Sequence, residues 1–135
     1  MRFTEHELTV ALTGVAKSVH AHSKVVRKRK LDPDAAWEEL SRYERFQLLD
    51  GLGNQVLPAL VALPDVEVTP GTRPTYTAEQ VRLVVEEQVG DDLGRVRRAV
   101  VVKARTLLVQ NALTHLPPRL DPDALQHHPE GGSGG

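Results

Sequence analysis

The chain contains no cysteine. Disulfides, zinc–thiolate sites, iron–sulfur clusters and thiol nucleophiles are therefore excluded from its chemistry. Aromatic residues are also scarce, at 4% of 135 residues, so few side chains are available to stack on nucleobases or on cofactor rings. A core built from this composition must be mainly aliphatic, made of valine, leucine and alanine.

An excess of charge of either sign is also missing. The formal net charge is −1 and the isoelectric point about 6.6, so no field of the whole molecule attracts nucleic acid or anionic lipid. No apolar run approaches the roughly 20 residues of a transmembrane helix, and the chain opens on a helix cap instead of a signal peptide. We therefore expect a cytoplasmic protein that does not enter a membrane.

Motifs for catalysis and for metal binding are absent as well. His20 and His22 are two residues apart, so on a helix they point to nearly opposite sides and cannot share an ion. Neighbouring carboxylates such as Glu38 and Glu39 do not face each other on a helix either. There is no glycine-rich phosphate loop, zinc-protease motif or nucleophile elbow. We predict a protein without enzymatic activity, cofactor or metal.

What the sequence does contain is a set of helix starts. Capping boxes, each accompanied by a hydrophobic staple, begin at Thr4 and at Thr77. Asp32-Pro33 combines an N-cap acceptor with proline at the first helical position. Ser41 opens a third capping box, at which the second helix either ends or bends and continues.

Apolar periodicity extends these starts into an all-α fold. We predict a compact bundle of four to five helices, the first over residues 5–26 and the fourth over 78–89. Asp91 or Asp92 is expected to cap the last helix, which reaches to about residue 115. An irregular loop occupies residues 64–76. Residues 1–116 form a single domain, and residues 117–135 form a disordered tail whose last five residues resemble an expression linker.

The last helix is apolar on more than one side, which predicts burial all round or a second interface. Its expected inward face consists of Leu93, Val96, Val100, Ala104 and Leu107. The surplus forms a candidate dimer face of Val101, Val102, Leu108 and Val109. We therefore predict an interaction or regulatory module that binds a protein partner or a second copy of itself as a homodimer.

A nucleic-acid-binding function is the alternative. The segment 24–30 carries five cations, namely Lys24, Arg27, Lys28, Arg29 and Lys30. Such a run can neutralise phosphates, but cations also stabilise the C-terminus of a helix, and we favour this second interpretation. Further arginines, Arg95, Arg97 and Arg98, follow a helix–glycine–helix junction that resembles a helix-turn-helix. Asp91 and Asp92 would repel phosphate there, which favours an ordinary helical hairpin.

A second alternative is a small-molecule binder or an enzyme with a pocket between helices. The loop over residues 64–74 would cover this pocket, and Arg73 and Tyr76 would supply its polar groups. No motif supports this interpretation, so it ranks below the other two.

Overall fold

A computed structural model describes residues 1–119, which form six helices and no strand. The helices are α1 (Glu5–Ala21), α2 (Lys24–Arg29), α3 (Pro33–Glu38), α4 (Arg42–Ala62), α5 (Ala78–Val89) and α6 (Arg95–Thr114). The predicted all-α class is thereby confirmed. The prediction of a tail over residues 120–135 lies outside the described residues.

The sixth helix arises because the first predicted helix divides at His22 and Ser23. The amide of His22 donates to the carbonyls of Ser18 and Val19, each at 3.2 Å, which ends α1. The hydroxyl of Ser23 accepts from the amide of Val26 at 3.4 Å and starts α2. Serine favours a new N-cap over continued helix because its side chain competes for backbone donors. The basic segment therefore lies on a short helix of its own.

The predicted capping boxes all form. Thr4, Ser41 and Thr77 each accept a hydrogen bond from the amide three residues ahead, and the side chain at that position bonds back to the cap. Asp32 caps α3, with Pro33 at its first turn. The helix boundaries thus follow local side-chain chemistry.

The start of α6 differs from the prediction. Its N-cap is Gly94, which offers no side-chain hydrogen bond, and neither Asp91 nor Asp92 caps the helix. Gly90 ends α5 with a φ of 74°, a left-handed conformation that glycine adopts without strain. The chain therefore needs four more residues before α6 can begin.

The core lies among α1, α4, α5 and α6. Its fully buried side chains include Val15, Val56, Leu60, Val85 and Val109. Trp37 of α3 packs on the edge of this cluster and is 6% exposed. The core is aliphatic, as the composition predicts.

The chain after α6 docks against the start of the protein. Leu116 is buried at 1% exposure. The amide of Arg119 donates to the carbonyl of Thr72, and its carbonyl accepts from the amide of Gly71, each at 2.7 Å. Its guanidinium binds the carboxylate of Glu7, with Nε at 2.9 Å. Residues 117–119, which the sequence analysis assigned to the tail, are held against the domain by these contacts of Arg119.

None of the helices in residues 1–119 has the length and apolar character needed to cross a bilayer.

Candidate interaction surface

The apolar face that the sequence analysis turned inward lies at the surface. Val96, Val100 and Leu107 are 77%, 63% and 58% exposed. Val102 and Val109, predicted for a dimer face, are 6% and 0% exposed within the same chain. Both predictions were therefore wrong, and the two faces of α6 exchange roles. Val101 and Leu108, the other two residues of the predicted dimer face, are half-buried.

Arg98 fixes this orientation of α6. Its Nε donates to the carbonyl of Gly90 at 2.6 Å and its Nη2 to the carbonyl of Glu86 at 3.1 Å. The Glu86 carbonyl lies in the last turn of α5 and also accepts from the amide of Gly90 at 3.1 Å, whereas the Gly90 carbonyl lies just past the end of the helix. A cation there also complements the helix dipole. Because Arg98 faces α5, the stripe of Val96, Val100 and Leu107 points to solvent. We call this stripe, with the groove beside it, the α6 face.

A groove of about 500 Å³ lies over the junction of α5 and α6, and Leu107 is the residue of the stripe that lines it. Ala99, Val102 and Leu107 supply apolar lining. The polar lining includes Arg82 and Glu86 from α5 and Arg95, Arg98 and Lys103 from α6. Arg82 is already neutralised, since it binds Glu86 at 2.7 Å and Glu79 at 2.5 Å. The groove therefore combines an apolar wall with cations.

The sequence of α6 contains five cations, Arg95, Arg97, Arg98, Lys103 and Arg105, and no carboxylate. Arg95, Arg97 and Lys103 are exposed, and none of them forms an ion pair within residues 1–119. Cations in the first turn of a helix oppose the helix dipole. Arg95, Arg97 and Lys103 thus leave the exposed side of α6 positively charged, whereas Arg98 lies 3.7 Å from the carboxylate of Asp91.

The basic segment on α2 divides into two groups. Arg29 binds Glu39 through both guanidinium nitrogens, at 2.6 and 3.3 Å, and so ties α2 to the end of α3. The other four cations, Lys24, Arg27, Lys28 and Lys30, are exposed and make no ion pair with any described residue. No hydrogen bond or ion pair in the described chain joins this segment to Arg95, Arg97 or Arg98.

The loop predicted to cover a pocket does border a small cavity of about 320 Å³. Its two candidate polar groups serve the backbone, however. Arg73 donates to the carbonyl of Thr114, and the hydroxyl of Tyr76 donates to that of Pro64 at 2.8 Å. Burial, assisted by the negative charge of Asp65, raises the pKa of the Tyr76 phenol above its usual value. These contacts hold the loop in place. They also use the polar groups of Arg73 and Tyr76 that were expected to bind a ligand.

A larger cleft, of about 600 Å³, was missed by the sequence analysis. It lies between α1, α3 and the end of α6, and its lining includes Lys17, His22, Asp34 and His115. Lys17 and Asp34 bind each other at 2.9 Å. Gly14 was the only signal in the sequence, because it lets His115 approach α1. The described residues contain no group of three or more histidine, aspartate or glutamate side chains placed to hold a metal ion.

Comparison with models of protein families, with curated proteins and with solved structures finds no match to this chain. Its function is therefore argued from its own residues.

Proposed function

We propose that this protein is a non-enzymatic interaction module that binds a protein partner through the α6 face. The observation that carries the proposal is the row of Val96, Val100 and Leu107, all more than half exposed on one side of one helix. Single exposed apolar residues are ordinary, whereas an aligned row beside a groove is typical of an interaction site.

The energetics support a binding role for this face. Complete burial of a valine or leucine side chain is worth about 1.5–3 kcal/mol. Three such residues therefore offer a partner several kcal/mol, enough to offset part of the cost of association. The face itself is made of aliphatic and cationic side chains, a composition suited to contact and not to acid–base or nucleophilic chemistry.

A homodimer is the alternative to a different protein partner, and the crosslinking experiment below distinguishes the two. A homodimer would use Val96, Val100 and Leu107 instead of the face predicted from the sequence, because Val102 and Val109 are buried in the core of the same chain.

The direct test is photo-crosslinking in cells with a benzophenone amino acid at Val100. The matched control carries the same amino acid at Val61 of α4, which is 57% exposed and lies on a different helix. We expect a discrete protein adduct from position 100 and none from position 61. An adduct of about twice the chain mass of 14.9 kDa would identify a second copy. Equal labelling from both positions, or none from position 100, would contradict the proposal.

Nucleic-acid binding by α2 is a second candidate, carried by the exposed, unpaired cations Lys24, Arg27, Lys28 and Lys30. Their test is fluorescence anisotropy with labelled DNA and RNA at about 50 and 200 mM salt, because phosphate contacts weaken steeply with salt. Binding that is salt-sensitive and disappears when Arg27, Lys28 and Lys30 become serine would establish this function. If the protein binds nucleic acid at neither salt concentration, the cations would serve only to stabilise the C-terminus of α2.

A further inference from the structure

The shape of the α6 face selects a helix as its occupant. The face extends from Arg95 to Leu107, a span of about 18 Å at the rise of an α-helix. Along it the groove between α5 and α6 is open on one side and mainly apolar. Grooves of this kind accept the apolar side of an amphipathic helix, through residues spaced three, four and seven apart. About three turns of a partner helix would fill the groove.

The positive charge of the α6 face favours a negatively charged partner. Arg95 and Lys103 line the groove, and Arg97 lies nearby on the exposed surface of the same helix. No carboxylate of α6 offsets them. A partner with carboxylates beside its apolar residues would gain charge-assisted hydrogen bonds at the rim of the contact.

A second copy is a poor occupant by the same reasoning. Pairing the α6 face with itself would bring Lys103 and the exposed arginines of two chains together, and like charges across an interface are unfavourable. The nearest acids of α5, Glu79 and Glu86, are already bound by Arg82 on their own helix. Both carboxylates thus already form an ion pair within their own chain.

A membrane surface fits less well than a helix. The exposed row contains only valine and leucine, and lacks the tryptophan or phenylalanine that anchors interfacial helices. Its apolar surface also continues down into the groove, where a flat bilayer cannot follow.

We infer that the partner of the α6 face is an acidic amphipathic helix, whose apolar residues pack on Val100 and Leu107 and whose carboxylates bind Arg95 and Lys103. This inference rests on the proposed function and adds the chemistry of the partner to it.

The test uses a fluorescein-labelled peptide of about 14 residues, designed with leucine at every third or fourth position and glutamate on both sides of the leucine row. A matched peptide carries lysine in place of each glutamate. Fluorescence anisotropy with the whole protein measures both affinities. We expect the glutamate peptide to bind at least ten times more tightly than the lysine peptide, and to weaken as salt rises from about 50 to 200 mM.

Protein variants locate the contact. Val100→Ser and Lys103→Glu are each expected to weaken the glutamate peptide at least tenfold. Their controls, Val61→Ser and Arg42→Glu, remove an exposed valine and reverse an exposed cation on α4 and should leave the affinity unchanged. Circular dichroism of each variant confirms that the helices are retained.

Four outcomes of the peptide and vesicle experiments would overturn the inference. They are equal affinity for both peptides, no effect of Lys103→Glu, no binding of either peptide at millimolar concentration, and sedimentation with phosphatidylglycerol vesicles that Val100→Ser abolishes. A dimer in light scattering that Val100→Ser dissolves would also overturn it, in favour of a second copy. The proposed function survives several of these results, because it is judged separately by crosslinking at Val100.

Discussion

Glu7 is a buried carboxylate with two duties. It is 6% exposed, and its Oε1 accepts from the amide of Thr4 at 2.9 Å to close the capping box of α1. Its Oε2 accepts from Nε of Arg119, also at 2.9 Å. Burial by itself would raise the pKa of Glu7, but the hydrogen bonds from Arg119 and Thr4 outweigh it, and the pKa lies below its usual 4.5.

The lowered pKa of Glu7 makes part of the stability dependent on pH. Because the folded pKa is depressed, this contribution is complete above the unfolded value near 4.5 and is lost as pH falls through the lower folded value. Glu7→Gln keeps a residue able to cap but removes the charge, and should cost about 2 kcal/mol at pH 7. Urea unfolding from pH 7 to pH 2 should show the difference from wild type shrinking at the acidic end.

Glu44→Gln is the matched control for Glu7. Glu44 closes the capping box of α4, and the backbone hydrogen bond with Ser41 lowers its pKa, but it is exposed and binds no arginine in the described chain. Glu44→Gln should therefore lower the free energy of unfolding by less than Glu7→Gln does. If Glu7→Gln cost the same at pH 2.5 as at pH 7, the ion pair would not be the cause.

Gly14 lies where α1 meets His115. A Cβ added at Gly14 would lie 2.2 Å from Cγ and 2.6 Å from Cβ of His115. Gly14→Ala should therefore destabilise the protein by about 1–3 kcal/mol, despite the higher helix propensity of alanine. His115→Gly in the same chain should recover part of the loss, as measured by urea unfolding.

Substitution of Gly51 in α4 should change stability in the opposite direction. A Cβ there would meet nothing within 4 Å, so Gly51→Ala should raise stability by about 0.5–1 kcal/mol through helix propensity alone. If both glycine substitutions stabilised the protein equally, the close approach of His115 to α1 would be disproved.

At the scale of the helices, α6 is the element whose rotation matters most. Val109→Ala should cost about 2 kcal/mol, because Val109 is fully buried and its truncation leaves a cavity. Leu107→Ala should change stability by a few tenths of a kcal/mol, since surface substitutions usually stay within about 0.5 kcal/mol. Urea unfolding followed at 222 nm measures both variants. The reverse order of costs would mean that α6 is turned the other way.

The two faces of α6 explain why the sequence analysis chose wrongly. Both Val96–Val100–Leu107 and Val102–Val109 follow helical spacing, so periodicity alone cannot rank them. The observed rotation buries Val102 and Val109 in the core and brings Arg98 to the carbonyls of Glu86 and Gly90 at the end of α5. From the sequence, Arg98 is indistinguishable from an ordinary surface cation. Its acceptors are main-chain carbonyls, which every residue has, so no sequence motif marks them.

For the whole molecule, the segment 117–119 joins both ends of the described chain. Arg119 contacts Glu7 at the start of α1, Thr72 in the long loop and the carbonyl of Arg2. Its guanidinium also lies over the ring of Phe3, 5.9 Å from the centroid. Residues 117–119, the C-terminal arm, thus link the start of α1 to the long loop.

The arm should therefore contribute to global stability. We compare a chain that ends at Leu120 with one that ends at Leu116, which lacks Arg119 and therefore its contacts with Glu7 and Thr72. Loss of the arm should cost about 2 kcal/mol, and the midpoint of thermal unfolding should fall by roughly 5–10 °C. Arg119→Ala in the longer chain should produce part of this decrease. Midpoints within about 1 °C of each other would show that the arm adds nothing.

The sequence by itself determined the helical class and most helix boundaries, because caps such as Thr4, Ser41 and Thr77 act through residues only three positions away. It also determined that the core is aliphatic. Tertiary structure alone decided which side of α6 is buried, that Arg119 docks on Glu7, and that His115 lies against Gly14. Each of these depends on groups brought together from distant parts of the chain, and local periodicity carries no information about such contacts.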